Sequence, residues 1–529
     1  MSRQLAIGTR ILITIGVACV FSVGNVCAQA VPAFPILSFK VEGNTLLSQD
    51  VIDASVNPFL GPKRDFGDVQ GALEALEALY KQRGFTTVSV QLPEQVLDKG
   101  EVVLRVVEGR LRQIKIDGQQ HFDEDNIRAA LPTLKSDQVP LIDDISANLR
   151  VANENPARQL SLRLAPGERD EDIDAIVKAS DERPWKVGAT LENTGTEQTG
   201  RHRLGVSYQH ANVWNLDHVL TAQYQTSPEK PSDVKVYALA YRIPLYSLGD
   251  AIDIYATKSN VNAGSINAGP VNLAISGSGV VLGGRYTLNL KRQGSYTGQL
   301  VFGVDYKAFE NSVLGSGLQL GNDITVRPMS LQYNGRWERE RGEWSFYANV
   351  ARNVPGGDKG GQADFDKARL GAPDDFTVLR GGVTVLHAYA NGWQVRATGS
   401  LQWTRDPLIP GEQFGIGGGS SVRGFLEREV SNDRGWQASL EFYTPELCGG
   451  LGGAHRCRLL GFVDTGGVYR VAALPGEQQR EHIASAGAGW RYNWGKSLSF
   501  QLDIGQVLQP GGVQKRGDWR GHAKLGLMF

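Results

Sequence analysis

Beyond residue 184, apolar and polar side chains alternate repeatedly with a period of two. Leu498, Phe500, Leu502 and Ile504 alternate with Ser499, Gln501, Asp503 and Gly505. Trp436, Ala438, Leu440 and Phe442 alternate with Gln437, Ser439, Glu441 and Tyr443. Trp519, Gly521, Ala523, Leu525, Leu527 and Phe529 alternate with Arg520, His522, Lys524, Gly526 and Met528. Successive side chains of a strand point to opposite faces, so each segment presents one apolar and one polar side. Such segments begin near residues 185, 201, 218, 233, 250, 277, 296, 324, 343, 376, 392, 436, 458, 482, 498 and 519. The count is about sixteen, an even number, as single-chain bacterial barrels require. Short turns (Asn391-Gly392, Gly495-Lys496) and longer stretches (263–275, 354–375, 405–435) separate the segments. Outer-membrane barrels combine short periplasmic turns with longer outer loops in this way. A soluble sandwich would alternate equally, with the apolar face as its core. Segments of about ten residues, aromatics at their ends and an export signal favour a transmembrane β-barrel over 184–529. The last segment also finishes on Phe529, as the closing strand of such a barrel typically does.

Residues 31–183 follow a different rhythm. Val69, Ala72, Leu73, Leu76, Leu79 and Tyr80 share one face of a helix, which Gly84 stops after Lys81 and Arg83. Residues 36–109 read strand, helix, helix, strand, strand, with 86–92 and 101–107 as paired strands. The same order recurs over 110–182: a strand at 111–116, a helix at 123–131 with Asp123 as its N-cap, and a second helix marked by Ile145, Leu149 and Ala152. Strands follow at 159–164 and 172–179. Two small α+β modules, 31–109 and 110–183, therefore precede the barrel, each large enough to close a small core.

Arg3 and Arg10 precede an apolar run, 11–23, followed by Ala28-Gln29-Ala30. Such a charged, apolar and small-residue succession reads as a signal peptide over 1–30, and the run is too short to span a membrane. The mature chain keeps two cysteines, Cys448 and Cys457, in the turn-rich stretch CGGLGGAHRC. Exported proteins sit where disulfides persist, so a bridge is expected. Metal binding is the rival reading, although two thiols and His455 make a poor site. The net charge of −1 gives no reason to expect nucleic acid.

The chemistry gathers in the stretch 415–425, GIGGGSSVRGF, inside the polar segment 405–435. A connection this long without secondary structure of its own is usually functional or disordered, and its glycines permit tight turns. About forty residues later, Gly461-Phe462-Val463-Asp464 places an acid within an apolar strand. Leu460, Phe462 and Asp464 share one face and Leu459, Gly461 and Val463 the other. Both faces are apolar, so the lumen side needs a cover, and an inserted loop carrying Phe425 would cover Phe462. A lone carboxylate there would be costly. Arginine suits it because its planar fork grips a carboxylate with two hydrogen bonds. The plain alternative is a solvated Arg423 and an ordinary lumen Asp464.

An export signal, two βααββ modules, sixteen strands and V-R-G-F (Val422, Arg423, Gly424, Phe425) in a long loop together resemble the two-partner secretion (TpsB) transporters. These form the hemolysin secretion/activation branch of the outer-membrane assembly superfamily. The modules resemble POTRA domains, and Asn155-Pro156-Ala157-Arg158 resembles the N-P-x-R stretch of a second POTRA domain. The resemblance implies that loop 405–435 folds into the barrel lumen and that Arg423 pairs with Asp464 of the F-x-D motif. It also implies an outer-membrane location with the POTRA domains in the periplasm. The expected function is translocation of a partner exoprotein, adhesin or hemolysin-like, caught unfolded by the POTRA domains and conducted by the barrel. The expected partners are that exoprotein and outer-membrane lipid. Many members carry a plug helix ahead of the first POTRA domain, but only about seven residues separate the cleavage site from Ile36, so none is expected here.

Other classes fare less well. An assembly factor of the same superfamily is the main alternative, but such proteins usually carry three or more POTRA domains. A passive porin has no use for the modules. No H-E-x-x-H, G-x-S-x-G elbow or acid dyad with a histidine is present, so neither an enzyme nor a cofactor or metal is expected. Gly495-Lys496-Ser497 ends like a P-loop, but Trp490 stands where the first glycine belongs, so no nucleotide is expected.

Overall fold

A computed structural model describes residues 33–529 apart from positions 98, 170, 269–270, 311–312, 316–317 and 321–322. The expected signal peptide lies outside the described residues, as does the segment where a plug helix would stand. The chain divides into two compact units, one ending at Arg83 but including Val88–Val107, the other comprising Gly84–Thr87 and Glu108–Phe529.

In the first unit, helices Gln49–Val56 and Phe66–Gln82 pack on a sheet whose strand order is Ser38–Glu42, Glu101–Glu108, Val88–Gln91. The edge strand Ser38–Glu42 runs parallel to the central strand Glu101–Glu108. The long helix starts at a capping box: Asp65 accepts from the amides of Gly67 and Asp68, and Asp68 accepts from the amide of Asp65. It buries Val69, Ala72, Leu76 and Tyr80 and stops before Gly84, whose φ of +90° suits glycine. A small sheet of Phe34–Ile36 and Gly61–Arg64 is an addition that the periodicity did not signal.

The second module repeats the order. Strand Asp172–Asp181 lies between Arg110–Asp117, parallel to it, and Arg158–Pro166, antiparallel. Helices Glu124–Ala130 and Ile142–Ala152 cover one face, and the Asp123 side chain caps the first by accepting from the Asn126 amide. Leu111, Ile127, Ile145, Leu160 and Val177 form the core.

Sixteen antiparallel strands then close into a barrel. They are Trp185–Glu192, Arg203–Val213, His218–Thr226, Lys235–Leu245, Asp250–Ser259, Gly279–Asn289, Tyr296–Phe309, a strand in two pieces (Ile324–Val326 and Pro328–Arg339), Gly342–Asn353, Thr377–Ala388, Gln394–Thr404, Arg434–Tyr443, His455–Tyr469, Arg480–Trp494, Leu498–Gln509 and Trp519–Met528. Closure runs from Lys524 opposite Glu192 to Met528 opposite Gly188, and Phe529 exchanges backbone hydrogen bonds with Val187 at 2.9 and 3.2 Å. Leu239, Ile254, Val304, Leu401, Leu440, Val463 and Ile504 point outward, as the apolar band of a membrane barrel does. Trp403, Trp436 and Trp519 ring the end with long loops, and Trp214, Trp337, Trp344 and Trp494 the end with short turns. These are the interfacial girdles of a membrane barrel.

The second module is joined to the turn side of the barrel by a buried polar cluster. Arg158 is fully buried and grips Asp217, in the turn after the second barrel strand, with Nη2–Oδ2 at 2.6 Å and Nη1–Oδ1 at 3.2 Å. Tyr246 donates to the same carboxylate at 2.6 Å, and Arg158 also donates to Asn126 Oδ1 at 2.5 Å and lies over the Phe122 ring. Asn155 donates to the Ala211 carbonyl at 2.7 Å, and Arg242 pairs with Glu154. Ala211 and Val219 of the barrel extend the core of the module, so polar and apolar contacts act together. Truncating one partner of such a pair strands the other charge and costs about 3–5 kcal/mol. Asp217→Ala is expected to raise amide exchange across 124–152 by at least about tenfold, the equivalent of about 1.4 kcal/mol, while the barrel keeps its heat-modifiable gel mobility. Unchanged exchange in hydrogen–deuterium mass spectrometry would show that the pair does not hold the module.

Candidate functional site in the barrel lumen

The connection 405–433 leaves the long-loop side and turns back into the bore. It is more ordered than its composition suggests, with a 3-10 turn Pro410–Glu412 and a hairpin of Phe414–Ile416 with Val430–Asn432. Polar residues at the strand ends supply the order. Buried Glu412 pairs with Lys307 at 2.6 Å and Arg380 at 3.0 Å, and Gln402 donates to the carbonyls of Glu412 and Asp433. At the mouth, Asp433 pairs with Arg369 and accepts from the Leu408 and Val471 amides at 3.0 and 2.7 Å. Phe365, Phe376, Leu408 and Ile409 form a cluster there, the first of them on helix Gln362–Ala368 of loop 354–376.

The tip of the hairpin carries Val422, Arg423, Gly424 and Phe425, all buried. Arg423 meets Asp464 through three nitrogens: its backbone amide at 3.0 Å, Nε at 2.7 Å and Nη2 at 2.8 Å. Nη1 reaches Glu441 at 2.8 Å and Asp503 at 3.4 Å, and Nη2 reaches Ser439 Oγ at 3.1 Å. Asp503 is held in turn by Arg491, with two contacts of 2.9 Å, and Glu441 lies 3.6 Å from Arg396. Three carboxylates thus face three guanidiniums, and the lumen wall is neutral only while Arg423 is present. Charge-assisted, two-pronged pairs of this kind are the strong ones.

The cover of Phe462 differs from the expectation. The Arg423 guanidinium itself lies over the ring, 3.5 Å from its centroid, as a cation–π contact. Phe425 goes elsewhere, into a cluster with Ile416, Val422 and Val430 of the loop and Val468, Ile483 and Val507 of the wall. The reason is parity. Residues 423 and 425 are separated by Gly424 at φ +93°, which turns the chain so that the two side chains meet different patches of the lumen wall. Gly424 also donates its amide to His522 Nε2 at 3.0 Å, and a Cβ on Gly505 would sit 3.0 Å from that amide nitrogen. Glycine at both positions lets loop and wall backbones touch.

Glu441, Asp503, Ser439 and His522 escaped sequence reasoning. Each occupies the polar side of its strand, which was the available signal, but only the register between strands brings them to one arginine. Asn155, Pro156 and Arg158 are at the module joint and do not meet the loop tip. Cys448, in turn 444–454 at the opposite end of the barrel, is bridged to Cys457 at the start of strand His455–Tyr469, Cα to Cα 5.3 Å. Their sulfurs are joined to each other, Glu446 accepts from the Cys448 and Cys457 amides, and His455 stacks on Trp494 and meets the Tyr492 hydroxyl at 2.8 Å.

Cavities of about 1950 and 1110 Å³ flank the loop inside the bore, the first bordered by Arg423, Asp503 and Arg150, the second by Glu412, Arg428 and Arg285. The loop therefore interrupts a polar passage. One tip carboxylate is unusual: Glu427 is pushed up from 4.5 to about 7, first by burial and then by nearby Glu192, against the pull of the Gly419 amide, Arg520 and Lys524.

Comparison with known proteins agrees with this architecture. The family described as "Haemolysin secretion/activation protein ShlB/FhaC/HecB" matches residues 172–492, and "POTRA domain, ShlB-type" matches residues 34–109. The outer membrane transporter CdiB of Dickeya dadantii (strain 3937) is 23% identical over 429 residues, covering 79% of this chain and 74% of that protein. The hemolysin transporter protein ShlB of Serratia marcescens is 23% identical over 420 residues, covering 77% and 72%. The solved structure of CdiB from Escherichia coli has the same fold, with a TM-score of 0.78 at 19% identity over 96% of this chain and 93% of that one. With more than half of its length matched, the chain belongs to the haemolysin secretion/activation family ShlB/FhaC/HecB, outer-membrane transporters of two-partner secretion whose POTRA domains lie in the periplasm.

Proposed function

We propose that the protein exports one partner exoprotein, adhesin or hemolysin-like, through the bore as an extended chain, and that loop 405–433 is the gate. The observation that carries the gate is the Arg423 cluster, which holds a loop between two lumen cavities in a closed barrel. An extended polypeptide needs a continuous passage, so the loop must move. The POTRA domains would receive the unfolded client. Among the described residues, each sheet ends in strands with one unpaired edge, Ser38–Glu42 and Val88–Gln91 in the first and Arg110–Asp117 and Arg158–Pro166 in the second. Such edges can add a client strand by backbone hydrogen bonds, with little demand on its sequence. Client folding outside would bias the direction. The match to secretion transporters leaves the assembly-factor alternative without support of its own.

Arg423→Ala removes the one guanidinium that meets Asp464, Glu441 and Asp503 together and leaves three carboxylates to Arg491 and Arg396. The variant is expected to stay inserted and heat-modifiable, to show more frequent open events in planar bilayers, and to export client poorly. Arg423→Lys, a point charge without the planar fork, is expected to recover only part of the export. Normal client export by Arg423→Ala would remove the latch from the mechanism.

Glu427 adds a pH dependence. Its carboxyl holds a proton up to about pH 7 in the docked loop but only to about 4.5 when released. Docking is thus unpenalised below 4.5, loses ground as pH rises from 4.5 to 7, and is constant above that. Open probability is expected to rise between pH 5 and 7 in the parent protein and to stay flat in Glu427→Gln. Parallel pH profiles would show that this group does not report docking.

A further inference from the structure

We propose that the lipid-facing wall of the first to eighth barrel strands binds a phosphorylated, multiply acylated glycolipid of the outer leaflet, with Arg327 as the phosphate contact. The eighth strand breaks at Arg327, between Ile324–Val326 and Pro328–Arg339. Val326 and Pro328 are buried toward the lumen, while Met329 is 56% exposed on the outside. Register continues unshifted through the break, with Val326 opposite Lys307 and Met329 opposite Val304, so ordinary alternation turns Arg327 to the outer face. Its backbone is fixed by Asn353, which accepts from the Arg327 amide at 2.6 Å, and by the Val354 amide, which donates to its carbonyl at 3.2 Å. The guanidinium lies beneath the turn 356–360, where a Cβ on Gly357 would collide with it and one on Gly360 would stand 3.1 Å from Nη2. Among the described residues, Nε and Nη2 have no hydrogen-bond partner although both are covered. A covered, unpaired guanidinium is costly and calls for an anion.

An apolar groove of about 620 Å³ leads to this arginine. It follows two neighbouring rows of the sheet. One runs Leu239, Ala256, Leu282, Tyr306, the other Tyr241, Ile254, Gly284, Val304, Met329, each residue opposite the next in register. Ala256 and Gly284 make the depression, since a Cβ on Gly284 would find its nearest neighbour only at 4.0 Å. A second groove of about 820 Å³ shares Leu239 and Ala256 and ends at Lys258, which also points outward. Two acyl-sized grooves, each ending in a cation at the long-loop side of the wall, fit a lipid with several chains and negative charge on its headgroup. A zwitterionic lipid with one phosphate fits the grooves but offers a single anionic group to the two cations.

Native mass spectrometry of the full chain in detergent tests the site, with bis-phosphorylated lipid A, phosphatidylethanolamine and inorganic phosphate as probes. Lipid A is expected to bind more tightly than phosphatidylethanolamine. Arg327→Gln and Gly284→Leu should each weaken lipid A by about tenfold, the scale of one lost charge-assisted contact, and Lys515→Gln, in a distant loop, should not. Heat-modifiable mobility confirms that each variant is folded, and Gly284→Leu tests the groove without touching the cation. Equal lipid A binding by Arg327→Gln and the parent, equal affinity for phosphatidylethanolamine, or the same thermal protection by inorganic phosphate alone would overturn the proposal.

Discussion

A single buried arginine organises the lumen. Arg423 can leave water only because Asp464, Glu441 and Asp503 meet it from three strands, and those acids can crowd together only because the arginine is there. Neither half is stable in a dry wall alone. Gly424 and Gly505 follow from this, since the backbone must come within touching distance for the fork to reach. The apolar patch of Val468, Ile483 and Val507 follows as well, as the seat for Phe425. Burying that ring contributes about 1.5–3 kcal/mol. The tip is therefore held by a directional contact and a non-directional one, which suits a part that must dock in one place and still leave.

The same device recurs along the long axis of the second unit. Arg158 with Asp217 fastens the second module to a barrel turn, Arg423 with Asp464 fastens the loop tip in the bore, and Arg369 with Asp433 fastens the loop base at the mouth. All three aspartates are essentially inaccessible to solvent. Buried ion pairs are weak sources of net stability compared with apolar packing of similar volume, but they tolerate only one geometry. Their use at three junctions points to positional control rather than bulk stability, since the apolar clusters beside each junction already supply burial.

Much of this was legible in the chain. Alternation placed the start of every barrel strand within a few residues, because lipid demands an apolar outer face and the strand period is two. Module helices were marked by their apolar stripe and by Asp123. Three things were hidden. Register was one, since a pattern of period two names the face of Glu441, Asp503 and His522 but not their opposite numbers. Irregular backbone was another: the hairpin Phe414–Ile416 with Val430–Asn432 and the break at Arg327 depend on tertiary hydrogen bonds to Gln402, Asp433 and Asn353. The third was the role of Phe425, since a positive φ at Gly424 decides which wall the ring meets.

A covalent lock tests the central claim most directly. A Cβ on Gly419 would lie 3.6 Å from the Cβ of His522, within the separation a disulfide spans. Client export through the double variant Gly419→Cys/His522→Cys should stop when the bridge is oxidised and resume when it is reduced, with barrel mobility unchanged. Undiminished export with the tip quantitatively bridged to the last strand would contradict the account, because the client would then pass without the loop leaving its seat.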